Sequence, residues 1–346
     1  MSTVSVSILA FHNADTIRAC IESVLDLEHE GELDIHVREQ GPDDEQSREI
    51  ELAATSSSSP NAFTLERGEN EGFARGHNRV IRKSRGEFVL LVNSDACLEP
   101  AYLREALPYF GDPRVGSVQG KLLAPIEDAS RSPSIDTTGF LATRRRLFLP
   151  RGQGEKDHGQ FDRPEEIFGV DGAVALYRRS ALEDIAVPRA LNPAELDNDG
   201  VEYLDETYFM YKCDLDLAWR LQLRGWRSMY APSAVSYHDR TLKRGTARSP
   251  RELLRQRKVG PAFTRAFSFC NHRLTLIKND RARQLLRDGA RWLPAEAAAW
   301  TVAIGIEHLG SAVKRFARLA RYARRKRAWI QARRDPSVDP YVHFVP

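Results

Sequence analysis

Apolar positions in the first hundred residues fall into short strand-like runs separated by amphipathic stretches. Val4–Ala10 (VSVSILA) alternates and is rich in β-branched residues, so it predicts a strand. Residues 33–37 and 62–65 predict two more strands. Residues 88–92 (FVLLV) are apolar without a break, between Gly86-Glu87 and Asn93-Ser94-Asp95. Such a run reads as a strand buried on both faces of a parallel sheet. Between these strands, helices are predicted over residues 17–27, entered through Asn13-Ala14-Asp15-Thr16, over 47–55, and over 73–83, opened by Glu71-Gly72. Strand–helix alternation of this kind predicts an α/β fold with a mostly parallel, doubly wound sheet.

After residue 100 the pattern loosens. A helix over 102–110 is closed by Gly111-Asp112-Pro113, and strands are predicted over 115–123 and 170–177. Ser180 is placed to cap a short helix, a helix over 214–225 ends at its glycine, and a strand covers 227–230. Residues 124–167 read as loop, with Arg144-Arg145-Arg146 at the centre as either a solvated cluster or a phosphate contact. Residues 56–60 read as a serine-rich linker and 191–200 as an acidic insertion. Beyond about residue 245 only helical signals remain, which divides the chain into an α/β domain, 1–245, and a helical region, 246–346.

Composition narrows the classes. With 346 residues, 42% hydrophobic and 29% charged, the chain reads as globular. Its four cysteines are scattered and form no CxxC pair, against a disulfide framework or a zinc ribbon. No apolar run reaches the length of a membrane span and no signal-peptide pattern opens the chain, so a cytoplasmic location is expected. The net charge of +3 hides a polarity: residues 241–346 carry 24 Lys+Arg against 7 Asp+Glu, leaving the remainder at −14. Residues 294–334 read as one or two helices in which Phe316, Leu319, Tyr322, Ala323 and Trp329-Ile330 interleave with basic residues. This is the pattern of a helix on an anionic membrane surface, with a solvated or oligomer-forming helix as the alternative. No finger, RRM-type or helix-turn-helix signature accompanies the charge, against a nucleic-acid partner.

Four places can carry chemistry. Asn93-Ser94-Asp95 falls at the carboxyl end of the buried strand, where open α/β sheets bind ligands; it is either a turn or a site where Asp95 holds a divalent cation. Residues 203–220 place Asp205, Glu206, Asp214 and Asp216 among Tyr208, Phe209, Tyr211 and Trp219. Asp214, at the start of a helix, is either a cap or a general base. His238, after a strand, is either an ordinary histidine or a ligand to metal or phosphate. The glycine-spaced segment 69–78 (ENEGFARGHN) opens a helix and suits close approach of an anion.

Together, SILAFHN, NEGFARGHNRVIRKSRGEFVLLVNSDACLEP, VDGAVALYRR, LDETYFMYKCDLDLAWRLQLRGW and YAPSAVSYH resemble a family-2 glycosyltransferase of GT-A fold, in the branch of bacterial rhamnosyltransferases, over residues 4–280. The resemblance implies an inverting, metal-dependent transfer from a nucleotide-sugar donor, with L-rhamnose from dTDP-rhamnose as the first expectation and a galactofuranosyl or hexosyl transfer as the alternative. A non-catalytic, membrane-docked glycan or nucleotide-sugar binding protein is the reading from another class. The acceptor implied is a lipid-linked or cell-envelope glycan, the cofactor Mg²⁺ or Mn²⁺, and the location the inner face of the plasma membrane as a peripheral protein; a homo-oligomer stays open. By position, Asp214 is the base, and Asp95 and His238 hold the metal. Phe11, His12, Asn13, Glu39, Asn70, Gly72, Asn78, Asn93 and Ser94 line the nucleotide-sugar pocket, and Asp205, Glu206 and Asp216 contact acceptor or donor sugar. Two departures stand out: Cys213 precedes Asp214 where an acid is usual, and Glu39-Gln40 replaces an Asp-Asn pair.

Overall fold

A computed structural model describes residues 2–56, 62–125, 133–196, 199–239 and 261–345. Most of the predicted linker at 56–60, and the predicted boundary at 245/246, lie outside the described residues. The first half runs β1 (Val4–Ala10), α1 (Ala14–Leu25), β2 (Leu33–Gln40), α2 (Asp44–Ser56), β3 (Ala62–Gly68), α3 (Gly72–Lys83), β4 (Phe88–Asn93), β5 (Ala96–Leu98), α4 (Tyr102–Ala106) and β6 (Val115–Leu123). There follow β7 (Ile135–Thr137), β8 (Phe140–Thr143), β9 (Phe148–Pro150), β10 (Glu165–Ile167), β11 (Val174–Arg178), α5 (Arg179–Asp184), β12 (Val187–Pro188), β13 (Val201–Glu202), α6 (Cys213–Leu223) and β14 (Arg227–His238). The last stretch holds α7 (Ala262–Asn279), α8 (Ala282–Arg287), α9 (Gly289–Thr301), α10 (Gly310–Ala332) and β15 (Phe344–Val345).

The central sheet has the order β10-β14-β6-β11-β4-β1-β2-β3. β1 pairs parallel with β2 and β4, β2 with β3, and β14 with β6, whereas β11 is antiparallel to both β4 and β6. Because β11 runs the other way, its first residues lie beside the last residues of β4: Val174 pairs with Val92 and Ala173 O accepts from Asn93 N at 2.8 Å. The carboxyl ends of β1, β2, β4 and β14 and the amino end of β11 therefore share one edge. Residues 88–92 are buried throughout, as an unbroken apolar run in a central strand requires.

The region expected to be loop, 124–167, contains four short strands. β7 extends the main sheet beside β6, β10 pairs with β14, and β8 and β9 form a separate sheet with β15. Arg146 is neither solvated nor free for phosphate: it is buried and donates to Asp280 at 2.6 Å and Asp288 at 2.8 Å.

The C-terminal helices are built into the body. Leu274 of α7 and Leu319, Tyr322 and Ala323 of α10 share one core with Leu91, Tyr177 and Leu217. The apolar side of α10 is thus consumed inside the protein, and Lys314, Arg318, Arg321, Arg324 and Arg325 are its exposed cations. Lys326 is buried with the apolar side, its Nζ 2.5 Å from Glu202 and 2.6 Å from Asp205. A buried ammonium between two carboxylates is the pairing that makes such a charge tolerable away from water.

Candidate active site

The shared sheet edge gathers most of the residues singled out by sequence. Asn93 ends β4, and the turn after it carries Ser94 and Asp95. Ser94 Oγ donates to Asn13 Oδ1 at 2.9 Å, which ties this turn to the segment after β1. His238 ends β14 opposite Ala96 of β5, with its Nε2 3.1 Å from Asp95 Oδ1 and 3.4 Å from Asn93 Nδ2. Its Nδ1 lies 2.9 Å from Asp136 Oδ2 on β7, and both side chains are buried. A carboxylate on one ring nitrogen fixes the direction of the other, the usual support of a metal-ligating imidazole.

No cluster of three or more His, Cys, Asp or Glu is arranged to enclose a metal among the described residues. The donors present are Asp95 and His238. One or two protein ligands fit a divalent cation whose remaining positions are filled by diphosphate oxygens and water, and the oriented Nε2 facing Asp95 fits that donor set.

Asp214 stands in the first turn of α6 and reaches the residues that precede β11. Its Oδ2 accepts from Gly172 N at 3.2 Å, and its Oδ1 from Leu215 N at 2.8 Å. A Cβ on Gly172 would lie 3.3 Å from the Cβ of Asp214 and 3.1 Å from Phe73, so a side chain there would crowd the approach. Burial first, and then the nearby Asp171 carboxylate, push the Asp214 pKa up, opposed by Lys212 and the two backbone donors. This pair of acids sits where β11 begins, beside Asn93. Sequence reasoning missed Asp171 and Asp136. The one local signal for Asp171 was a carboxylate just before a glycine at the entry to an apolar strand; Asp136 had none.

The other expected residues divide. Phe11 is exposed beside Gly41, and His12, at φ 51°, points to Asp43 at 3.4 Å. Asn70 Oδ1 accepts from Gly72 N at 2.9 Å and shapes the entry to α3. Glu39 is fully buried, and its carboxylate accepts from Gln46 at 3.1 Å, Ser47 at 2.7 Å and Arg67 at 2.9 Å. Asn78, also fully buried, donates to Leu204 O and accepts from the amides of Tyr203 and Leu204, clipping that segment to α3.

Asp205, Glu206 and Asp216 lie inside rather than on a cleft wall. Glu206 pairs with Arg82 at 3.0 Å and Arg189 at 3.1 Å, and Asp216 with Arg220 at 3.0 Å and Lys278 at 2.9 Å. Asp205 meets Lys278 and Lys326; burial raises its pKa, and the two ammonium groups outweigh that and hold it below the usual range. Cys213 is buried, and burial pushes its thiol well up, which keeps it neutral beside Asp214.

The glycosyl transferase family 2 model matches residues 5–186. The chain is 28% identical over 210 residues to the N-acetylglucosaminyl-diphospho-decaprenol L-rhamnosyltransferase of Mycobacterium tuberculosis (strain ATCC 25618 / H37Rv), covering 55% of this chain and 62% of that protein. It is 26% identical over 170 residues to an N-acetylglucosaminyltransferase of Rhizobium meliloti (strain 1021), covering 49% of this chain and 37% of that one. The chain thus spans less than two thirds of the length of these curated relatives. Among solved structures, GalNAc-T7 with UDP, GalNAc and Mn²⁺ superposes with a TM-score of 0.52 at 12% identity, over 88% of this chain and 57% of that one. The fold is GT-A, with a mostly parallel sheet and a helical C-terminal region. The chain belongs to glycosyl transferase family 2.

Proposed function

We propose that this protein is an inverting glycosyltransferase that moves a sugar from a nucleotide-activated donor to a hydroxyl of a lipid-linked or cell-envelope glycan. The observation that carries the reading is that the sheet edge where β4 ends carries both Asp95 with His238 and Asp214 with Asp171. One pair suits a metal–diphosphate corner and the other an acid–base residue, as a single displacement needs.

Asp214 takes the proton of the acceptor hydroxyl as the new C–O bond forms at the anomeric carbon. The bond from that carbon to the donor diphosphate breaks, and its electron pair leaves with the nucleoside diphosphate. A raised pKa brings the base closer to the pH at which it works. Asp95 and His238 would hold Mg²⁺ or Mn²⁺, which supplies charge neutralisation to the departing diphosphate when bound. Phe11, His12, Asn13, Glu39, Asn70, Gly72, Asn78, Asn93 and Ser94 shape the donor side directly or through their hydrogen bonds. Asp205, Glu206 and Asp216 support the acceptor side through their ion pairs.

Similarity to the mycobacterial rhamnosyltransferase makes a deoxyhexose such as L-rhamnose from dTDP-rhamnose the first donor, with a galactofuranosyl or other hexosyl donor next. No helix among the described residues is long and apolar enough to cross a membrane. Exposed Leu286, Leu293 and Ile304, together with the exposed cations of α10, support peripheral docking on the anionic inner face of the plasma membrane. The test is transfer and donor hydrolysis over a panel of nucleotide sugars, with and without EDTA, for the protein and for Asp214→Asn. Donor-dependent turnover that EDTA and the substitution both abolish supports the reading. Binding of a nucleotide sugar with no turnover of any donor, and no effect of Asp214→Asn, would identify a binding protein instead.

A further inference from the structure

The four residues before α6 take an unusual path. Phe209, Tyr211 and Lys212 have φ of 65°, 63° and 66°, the left-handed region, and none is glycine. Non-glycine residues at such φ are strained, so the turn persists only where its surroundings over-determine it. Lys212 leads directly into Cys213 and Asp214, so the path of this turn sets where the Asp214 carboxylate emerges.

The main restraint comes from the C-terminal region. Asn271 of α7 is fully buried, and the two N–H groups on its Nδ2 are shared among the carbonyls of Tyr208 at 3.1 Å, Met210 at 2.8 Å and Tyr211 at 3.0 Å. Three carbonyls around one terminal atom demand a donor, which a carboxylate or an alkyl group cannot supply. One helical turn on, Thr275 Oγ1 lies 2.8 Å from Tyr208 Oη. The Phe209 ring packs on Phe267 of α7 at 5.6 Å. On the donor side, Phe209 O accepts from Ala74 N at 3.2 Å, and Gly72 leaves the room that Phe209 fills.

We infer that Asn271 is a positioning residue: its carboxamide, supplied by α7, holds residues 208–212 in the left-handed turn that aims Asp214 at the acceptor hydroxyl. The inference rests on the reading of Asp214 as the base. It makes the C-terminal region part of the active site through one buried side chain, irrespective of any role at a membrane.

Full-length Asn271→Ala is compared with the unsubstituted protein by amide hydrogen exchange, by titration with UDP and dTDP in the presence of Mn²⁺, and by transfer kinetics on whichever donor the panel identifies. The expected result is exchange about tenfold faster confined to residues 208–216, nucleotide affinity and donor KM within about twofold, and kcat lower by about tenfold or more. Unchanged exchange and kcat, or an equal loss of nucleotide binding, would overturn it. If Asn271→Ala does not fold, Lys212→Val and Lys212→Asn decide. Both remove the ammonium, but only valine is penalised at this φ. A lower kcat in the valine variant alone supports the inference, and equal kcat values overturn it. Unaltered turnover in Asp214→Asn would instead overturn the base reading, while the exchange data still report on the turn.

Discussion

Asp136 Oδ2 lies 2.9 Å from Nδ1 of His238, which turns the opposite nitrogen of the ring toward Asp95. Replacing Asp136 with asparagine leaves the size of the side chain but weakens the orientation. Losing such an outer partner costs roughly 10–100-fold in metal affinity. Mn²⁺ titration in the presence of a nucleoside diphosphate should show that loss in Asp136→Asn, with nucleotide binding in EDTA unchanged.

Asp214→Asn should lower kcat by roughly 10²–10⁴-fold, the span of general acid–base catalysis, with donor binding within about twofold. Single-turnover kinetics beside nucleotide titration separate the two.

The same carboxyl has a signed effect on stability. Its pKa is raised in the folded state by burial and by Asp171, so the fold favours the protonated form. That favour is fully present below the unfolded pKa and is lost as pH rises through the folded pKa. At neutral pH the ionised group therefore opposes folding, and Asp214→Asn should raise Tm at pH 7 while leaving it nearly unchanged at pH 3. For the enzyme, Asp171→Asn should move the acidic limb of the kcat/KM profile to lower pH.

Lys326 is buried between Glu202 and Asp205, while its neighbour Arg324 is exposed. Lys326→Ala leaves buried Glu202 without its ammonium and Asp205 with Lys278 alone, and should cost about 3–5 kcal/mol in urea unfolding. Arg324→Ala should stay within about 0.5 kcal/mol. Equal effects would show that the pairing in α10 is not what holds this helix.

Removing the exposed charges Arg318, Arg321, Arg324 and Arg325 together (all to Gln) should weaken sedimentation with anionic liposomes by roughly 1 kcal/mol per residue near the surface. Binding to neutral liposomes should not change.

The sheet was legible because its strands announce themselves locally. Val4–Ala10 and Val115–Leu123 match the expected bounds, and the unbroken run at 88–92 marked the centre of the sheet. The strand predicted over 227–230 runs further than local sequence indicates, because Pro232 does not end it. Pro232 sits where the register with β6 shifts between Ala231 and Val235, a place where a missing N–H breaks no ladder, and the strand runs on to His238. β7 to β10 are three or four residues long, and their pairing is decided by β6, β14 and β15, which local sequence cannot express. The same limit applies to charge. Local sequence does not tell the cations of the basic tail apart, and only packing shows Lys326 and Lys278 to be interior. The Asn-Ser-Asp turn, Asp214 and His238 stood out as polar residues at the ends of apolar segments. Asp136, Asp171 and Asn271 did not, because each acts on a partner distant in sequence.

The turn held by Asn271 also bears on the order in which the molecule matures. Asn271 lies 63 residues beyond Tyr208, whose carbonyl it binds. A growing chain has released β1 to β14, and with them the residues of the Asp95–His238 corner, before α7 has left the ribosome. Until α7 docks, residues 208–212 lack the Asn271 carboxamide, and Phe209 keeps only its contacts with Ala74 and Gly72 of α3. Such a nascent chain would be ready to capture a nucleotide before it is ready to transfer a sugar.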